Sequence, residues 1–157
     1  MHNLGRALDA AGRFDDAAYW YRQAADQNWA WSENNLGVLY LFGRGVPLDF
    51  KRGVELLRAA AAQNNPNARI NYQEQDFSTL FRDHRARTAI VQNALVEKGF
   101  LAPQDVSGNW GAPTDAALEA FKRAAQLPEK GLTLRMIDKL GIVDKLSANI
   151  TAGRGGG

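Results

Sequence analysis

The chain repeats itself. Sliding it along its own length lays Asn3-Leu4-Gly5 on Asn35-Leu36-Gly37. At a slightly longer offset, Tyr21-Arg22-Gln23-Ala24-Ala25 falls on Leu57-Arg58-Ala59-Ala60-Ala61, and Gln27-Asn28 on Gln63-Asn64. A period of roughly 32 to 36 residues is that of stacked helical hairpins, in which each hairpin buries its apolar face only against a neighbour. The first 81 residues are therefore expected to be helical, with their core shared between repeats.

The residues at the repeating positions are specific. In the first hairpin Leu4, Gly5, Leu8, Gly12, Phe14, Ala17, Tyr21 and Ala24 alternate large and small side chains, as two interlocking antiparallel helices require, and the unit resembles a tetratricopeptide repeat. The second, NNLGVLYLFGRGVPLD followed by AAAAQNNPNA, is similar to the Sel1-like variant, whose longer inter-helix loop carries Gly43-x-Gly45-Val46-x-x-Asp49. Gly53 stands where that family has Ala, at a cost of about 1 kcal/mol in helix propensity. Asn28 and Asn64 replace the usual Gly after the second helix, and Asn tolerates the left-handed cap. A third unit starts at Ala68, with Ile70 and Tyr72 spaced like a first helix, and loses the pattern by Gln75. So short an array is too little for a stable solenoid, and further units are expected upstream of Met1, the chain being a fragment.

The helix through Leu36, Val38, Leu39, Tyr40, Leu41 and Phe42 is apolar almost all round. One neighbour cannot cover every face of it. Either residues 68–100 cover the surplus, or it forms an exposed groove for a partner. Arg6 and Asp9 align with Val38 and Leu41, so Arg6, Asp9, Asn34, Val38 and Leu41 are the candidate partner-binding face of the array. The run Tyr19-Trp20-Tyr21 and the pair Trp29 and Trp31 are expected to pack between helices rather than to form a stacking platform.

Composition narrows the chemistry. With no cysteine and two histidines among 157 residues, disulfides, thiolate metal sites and cysteine nucleophiles are excluded, and no metal or cofactor is expected. Residues 1–81 hold 8 Lys and Arg against 9 Asp and Glu, and residues 82–157 hold 11 against 8. This mild basic bias is no nucleic-acid stripe. No apolar run is long enough to span a bilayer, so membrane insertion is not expected. Carboxylates are scattered, and neither a phosphate-binding glycine loop nor a catalytic serine or histidine set occurs, so no catalytic residue is named.

Residues 73–86, QEQDFSTLFRDHRA, read as a charged helical linker with Phe77, Leu80 and Phe81 as anchors and His84 as a solvated residue. Beyond it, Gln92-x-x-Leu95 leads to Gly99-Phe100. A loop follows from Ser107 to Gly111, then a helix from Thr114 to about Ala125 with Thr114 as its cap, then Leu127 and Gly131, and a last helix from Thr133 to Leu140. Together with Gly108, Trp110, Ala117, Leu118 and Phe121, this order resembles the peptidoglycan-binding-like domain, a three-helix module of cell-wall hydrolases and other bacterial envelope proteins. The resemblance implies contacts to glycan or stem peptide from the loop amides, Asn109, Thr114 and Trp110, although Trp110 also reads as core beneath the loop. Ser107 stands where the family has Asp, and Lys122 where it has Gln. Either can still hydrogen-bond the loop.

The expectation is an all-α protein: a helical-hairpin repeat array at residues 1–72, the linker, a peptidoglycan-binding-like three-helix module at 87–145, and a disordered Gly-rich tail at 146–157. Three functions fit it. The first is a non-catalytic envelope scaffold binding protein or peptide partners on the repeats and peptidoglycan on the module. The others are an adaptor without wall binding, and an accessory fragment of a larger hydrolase or protease. A fragment of an exported protein would sit in the periplasm or envelope, and a complete chain in the cytoplasm.

Overall fold

Small residues set where the helices of the repeat can touch. In the computed structural model, which describes residues 1–128 and 130–154, the first hairpin pairs α1 (His2–Ala10) with α2 (Phe14–Ala25), and the second pairs α3 (Ala30–Phe42) with α4 (Phe50–Ala62). A Cβ on Gly5 would lie 2.7 Å from the Tyr21 ring, and one on Gly37 would lie 3.0 Å from Leu57 and 3.1 Å from the Gly53 carbonyl. The repeated Asn-Leu-Gly motif thus puts its glycine where the second helix of each hairpin lays a large side chain. Gly53 belongs to the same contact, for its Cβ would meet Leu41 at 2.7 Å and the Gly37 carbonyl at 2.9 Å. It is the price of close approach between α3 and α4, a gain that propensity alone does not register.

Asn28 and Asn64 take φ of 57° and 61°, the left-handed conformation expected after each second helix. Asp49 caps α4 by accepting from Arg52 N at 2.9 Å, and Gly43 ends α3 at φ 62°. Ala17, Ala18, Tyr21, Leu36, Leu39 and Leu56 form a buried cluster between the hairpins. The short helix α5 (Pro66–Arg69), capped by the Asn65 side chain, and the π-helical turn Ile70–Glu74 then follow. Ala68 and Tyr72 are buried, and Asn71 Nδ2 donates to Asn34 Oδ1 at 2.9 Å. The start of the third repeat therefore covers part of the surplus face of α3, while Phe42 stays 45% exposed.

The chain divides into two compact units, residues 1–72 and 73–157. Residues 73–86, expected as a linker, are built into the second. Phe77 and Phe81 are buried, Phe77 N donates to Leu132 O at 2.8 Å, and the Asp76 carboxylate accepts from Leu132 N and Ser78 N, each at 2.9 Å. Apolar anchors placed three to four residues apart bring this stretch into the core, and Asp76 closes it on the loop before the next helix.

The second unit is arranged around α7 (Arg85–Glu97), against which α6 (Thr79–Arg82), α8 (Ala112–Ala125), α9 (Leu134–Leu140) and α10 (Val143–Arg154) pack. Thr133 caps α9, accepting from Met136 N at 3.3 Å, as its position predicts. The helix after the Ser107–Gly111 loop starts earlier than expected, with Gly111 at the cap and Pro113 in the first turn, so Thr114 lies inside α8. The disordered tail expected from residue 146 is instead helical through Arg154, with Leu146 fully buried; residues 155–157 of that expectation lie outside the described residues. Among the described residues, α7, α8 and α9 are the α-helices of residues 87–142, and the unit adds α6 before them and α10 after them. No strand occurs among the described residues.

Candidate functional site

Two places carry the residues that the sequence singles out. The first is a groove of about 360 Å³ in the first unit, lined by His2, Asn3 and Arg6 of α1, Trp29, Trp31 and Asn35 at the start of α3, and Asn67 of α5. Its lining comes from the first helix of each successive hairpin. Trp29 and Trp31 are 52% and 41% exposed, so the expectation that they pack between helices is corrected. Tyr21, by contrast, is fully buried, and burial together with the nearby Asp9 charge pushes its hydroxyl up to about 12.

His2 is equally far from an idle terminal residue. Its ring lies 6.4 Å from Trp29 and 6.0 Å from Tyr21, and Nδ1 is 2.9 Å from Ser32 Oγ. Burial first, then the Arg6 and N-terminal charges, lower its pKa below the ordinary histidine value. The ring is therefore largely uncharged at neutral pH. Arg6 is exposed and is the one permanently charged side chain of the lining.

Of the five residues expected on the partner face, only Arg6 lines this groove. Asp9 is half-buried and accepts from Tyr21 Oη at 3.2 Å. Asn34 is buried, donating to Asn35 Oδ1 at 3.0 Å and accepting from Asn71. Leu41 is buried against Gly53, and Val38 is half-buried. The signal for the residues missed lay in the repeat itself: Asn3, Asn35 and Asn67 recur at equal steps along the chain.

A second cleft of the same unit, about 350 Å³ between α2 and α4, is lined by Arg22, Asp26, Glu33, Arg52 and Glu55 among others. Glu33 is buried there and accepts from Gln63 Nε2 at 2.7 Å. Burial raises its pKa, a shift that the Gln63 hydrogen bond opposes. Charges of both signs line this cleft.

The other place is the loop from Ser107 to Gly111. Gln92 of α7 is buried beneath it and uses all four of its hydrogen-bonding positions. Oε1 accepts from Ser107 N and Gly108 N at 3.2 and 2.9 Å, and Nε2 donates to Asn109 O and Thr114 Oγ1, each at 3.0 Å. Asn109 N is taken by Ser107 Oγ at 3.1 Å. The amides of Ser107, Gly108 and Asn109, expected among those facing a glycan, are thus engaged within the protein, and Thr114 is buried against Gln92. Lys122 does not reach the loop; Nζ donates to Glu119 at 2.5 Å.

Trp110 is half-buried. Its Nε1 donates to Asp115 Oδ1 at 2.8 Å, the Arg82 guanidinium lies 5.2 Å from its ring centroid, and Phe81 is 6.3 Å away. Asn109 remains exposed. His84, expected as a solvated residue, caps α7, its Nδ1 accepting from Arg87 N at 3.4 Å. Among the described residues no group of histidines and carboxylates is placed to hold a metal, and no helix is long and apolar enough to cross a membrane.

The Sel1 repeat family model matches residues 14–29 and 32–65, which run from the start of α2 to the cap of α5. No solved structure matches the chain. The N-terminal part of the chain therefore carries Sel1 repeats, and these indicate a scaffold for protein interactions.

Proposed function

We propose that the chain is a non-catalytic binding scaffold of the bacterial cell envelope, docking protein partners on its first unit and peptidoglycan on its second. The observation that carries the first half is the pair of exposed tryptophans in a groove lined by polar side chains from successive hairpins. Large aromatic rings beside asparagines combine apolar contact with hydrogen-bonding capacity, the mix found at protein docking sites.

The wall-binding half rests on the resemblance of residues 87–145 to the peptidoglycan-binding-like domain. Asn109 and the accessible part of Trp110 are the groups that would meet glycan or stem peptide, and Thr114 supports them from beneath through Gln92. A specific observation favours a second reading, an adaptor whose module has no wall ligand. The amides of Ser107, Gly108 and Asn109 are taken by Gln92 and Ser107, and Arg82 lies over the Trp110 ring.

Co-sedimentation with purified insoluble peptidoglycan at low salt separates the two. The envelope reading expects the chain in the pellet, and a folded Trp110→Ala variant in the supernatant. A wild-type chain that stays in the supernatant removes the wall from the function and leaves the adaptor.

A further inference from the structure

The groove of the first unit has an uneven chemistry that specifies its occupant more closely than docking in general. Seven residues line it: three asparagines, two tryptophans, His2 and Arg6. None is a carboxylate. The nearest acid on the same helix, Asp9, is one turn further on and holds the Tyr21 hydroxyl. Arg6 therefore presents its guanidinium to a site that supplies no anion of its own, beside two tryptophans left about half in water.

We infer that the groove takes an extended acidic peptide segment, one whose carboxylate pairs with Arg6 while a neighbouring apolar side chain lies on Trp29 and Trp31. This rests on the reading of the first unit as a docking scaffold and names the class of its partner. An Arg guanidinium forms two parallel hydrogen bonds with a carboxylate, so an acidic residue is favoured over a neutral one in both energy and geometry. Each asparagine offers a donor and an acceptor, and an extended chain, whose main-chain groups lack internal partners, can use both. The apolar neighbour follows from the tryptophans, which gain most when their exposed faces are covered. A basic segment would meet Arg6 with like charge, and a helical one would withhold the main-chain groups that the asparagines address.

Panning a displayed library of random dodecapeptides on the whole immobilised chain tests this. The expected selection is enriched in Asp and Glu close to an aromatic or aliphatic residue. A synthetic peptide from that pool should lose about tenfold or more in affinity for Arg6→Gln, while its Asn and Gln counterpart binds both proteins alike. Arg6, Trp29 and Trp31 are exposed, so their variants should keep the wild-type circular dichroism. A pool without acidic bias, or one bound equally well by Arg6→Gln, overturns the acidic partner while docking stands. A pool no richer than that from a Trp29→Ala/Trp31→Ala variant overturns docking as well.

Discussion

At the scale of single residues, the first unit depends on side chains that are missing. Gly53 sits where α4 passes closest to α3, with the Gly37 carbonyl and Leu41 both within 3 Å of where a Cβ would stand. Replacing it by Ala recovers about 1 kcal/mol of helix propensity, but overpacking costs about 1–3 kcal/mol, and a backbone carbonyl cannot turn aside as a side-chain tip can. Gly53→Ala should therefore lower stability by about 1 kcal/mol, read as a lower urea midpoint at unchanged slope. A rise in midpoint would mean that the helices separate at little cost. In the second unit the corresponding residue is Gln92. Gln92→Leu keeps the size but strands Gly108 N and Thr114 Oγ1 in the interior, so the unit should lose about 3 kcal/mol or more. A loss under about 1 kcal/mol in urea unfolding would indicate that water replaces the amide.

Elements differ in how far their sequence announced them. The hairpins of the repeat were legible because their determinants recur at a fixed spacing: Gly5 with Gly37, Asn28 with Asn64, and the Gly43-x-Gly45 loop. The cap of α9 was legible for a similar reason, since Thr133 acts on its own helix. What was hidden depends on contacts distant in sequence. Gln92 meets main-chain atoms 15 to 17 residues further on, which no local pattern signals. The stretch from residue 146 looks unstructured by composition, yet Leu146 is buried and α10 packs on α7, tertiary packing overriding weak propensity. Trp29 and Trp31 were misjudged because aromatic composition does not say which face of a helix a neighbouring hairpin covers. The asparagines do recur in the repeat, as Asn3 and Asn35, but recurrence beside a leucine and a glycine does not say which face of the helix they occupy.

Across the whole molecule the two units should answer acid in opposite senses. Burial raises the Glu33 pKa in the first unit, so the charged form costs stability above the folded pKa, and that cost is relieved as pH falls towards the ordinary carboxylate range. For Asp76 in the second unit, burial pushes the pKa up, but hydrogen bonds from Leu132 and Ser78 outweigh it and leave the value lowered. Its contribution is present above the unfolded value and is lost as pH falls through the folded one. On acidification below about pH 4 the indole signal of Trp110 should therefore shift towards its unfolded position before those of Trp29 and Trp31, and Asp76→Asn should remove that lead. Simultaneous loss of all three signals would contradict the assignment.

The row of first helices also has a direction. Asparagine recurs at every step, but the site one turn on changes from Arg6 to Val38 to Ile70, from a cation to a half-buried and then a largely exposed hydrocarbon. A strand lying along such a row meets a gradient, not a uniform strip. Of these three only Arg6 lines the groove, so the charge of the groove lies at one end of the row, and a partner's acidic residue should be held at that end.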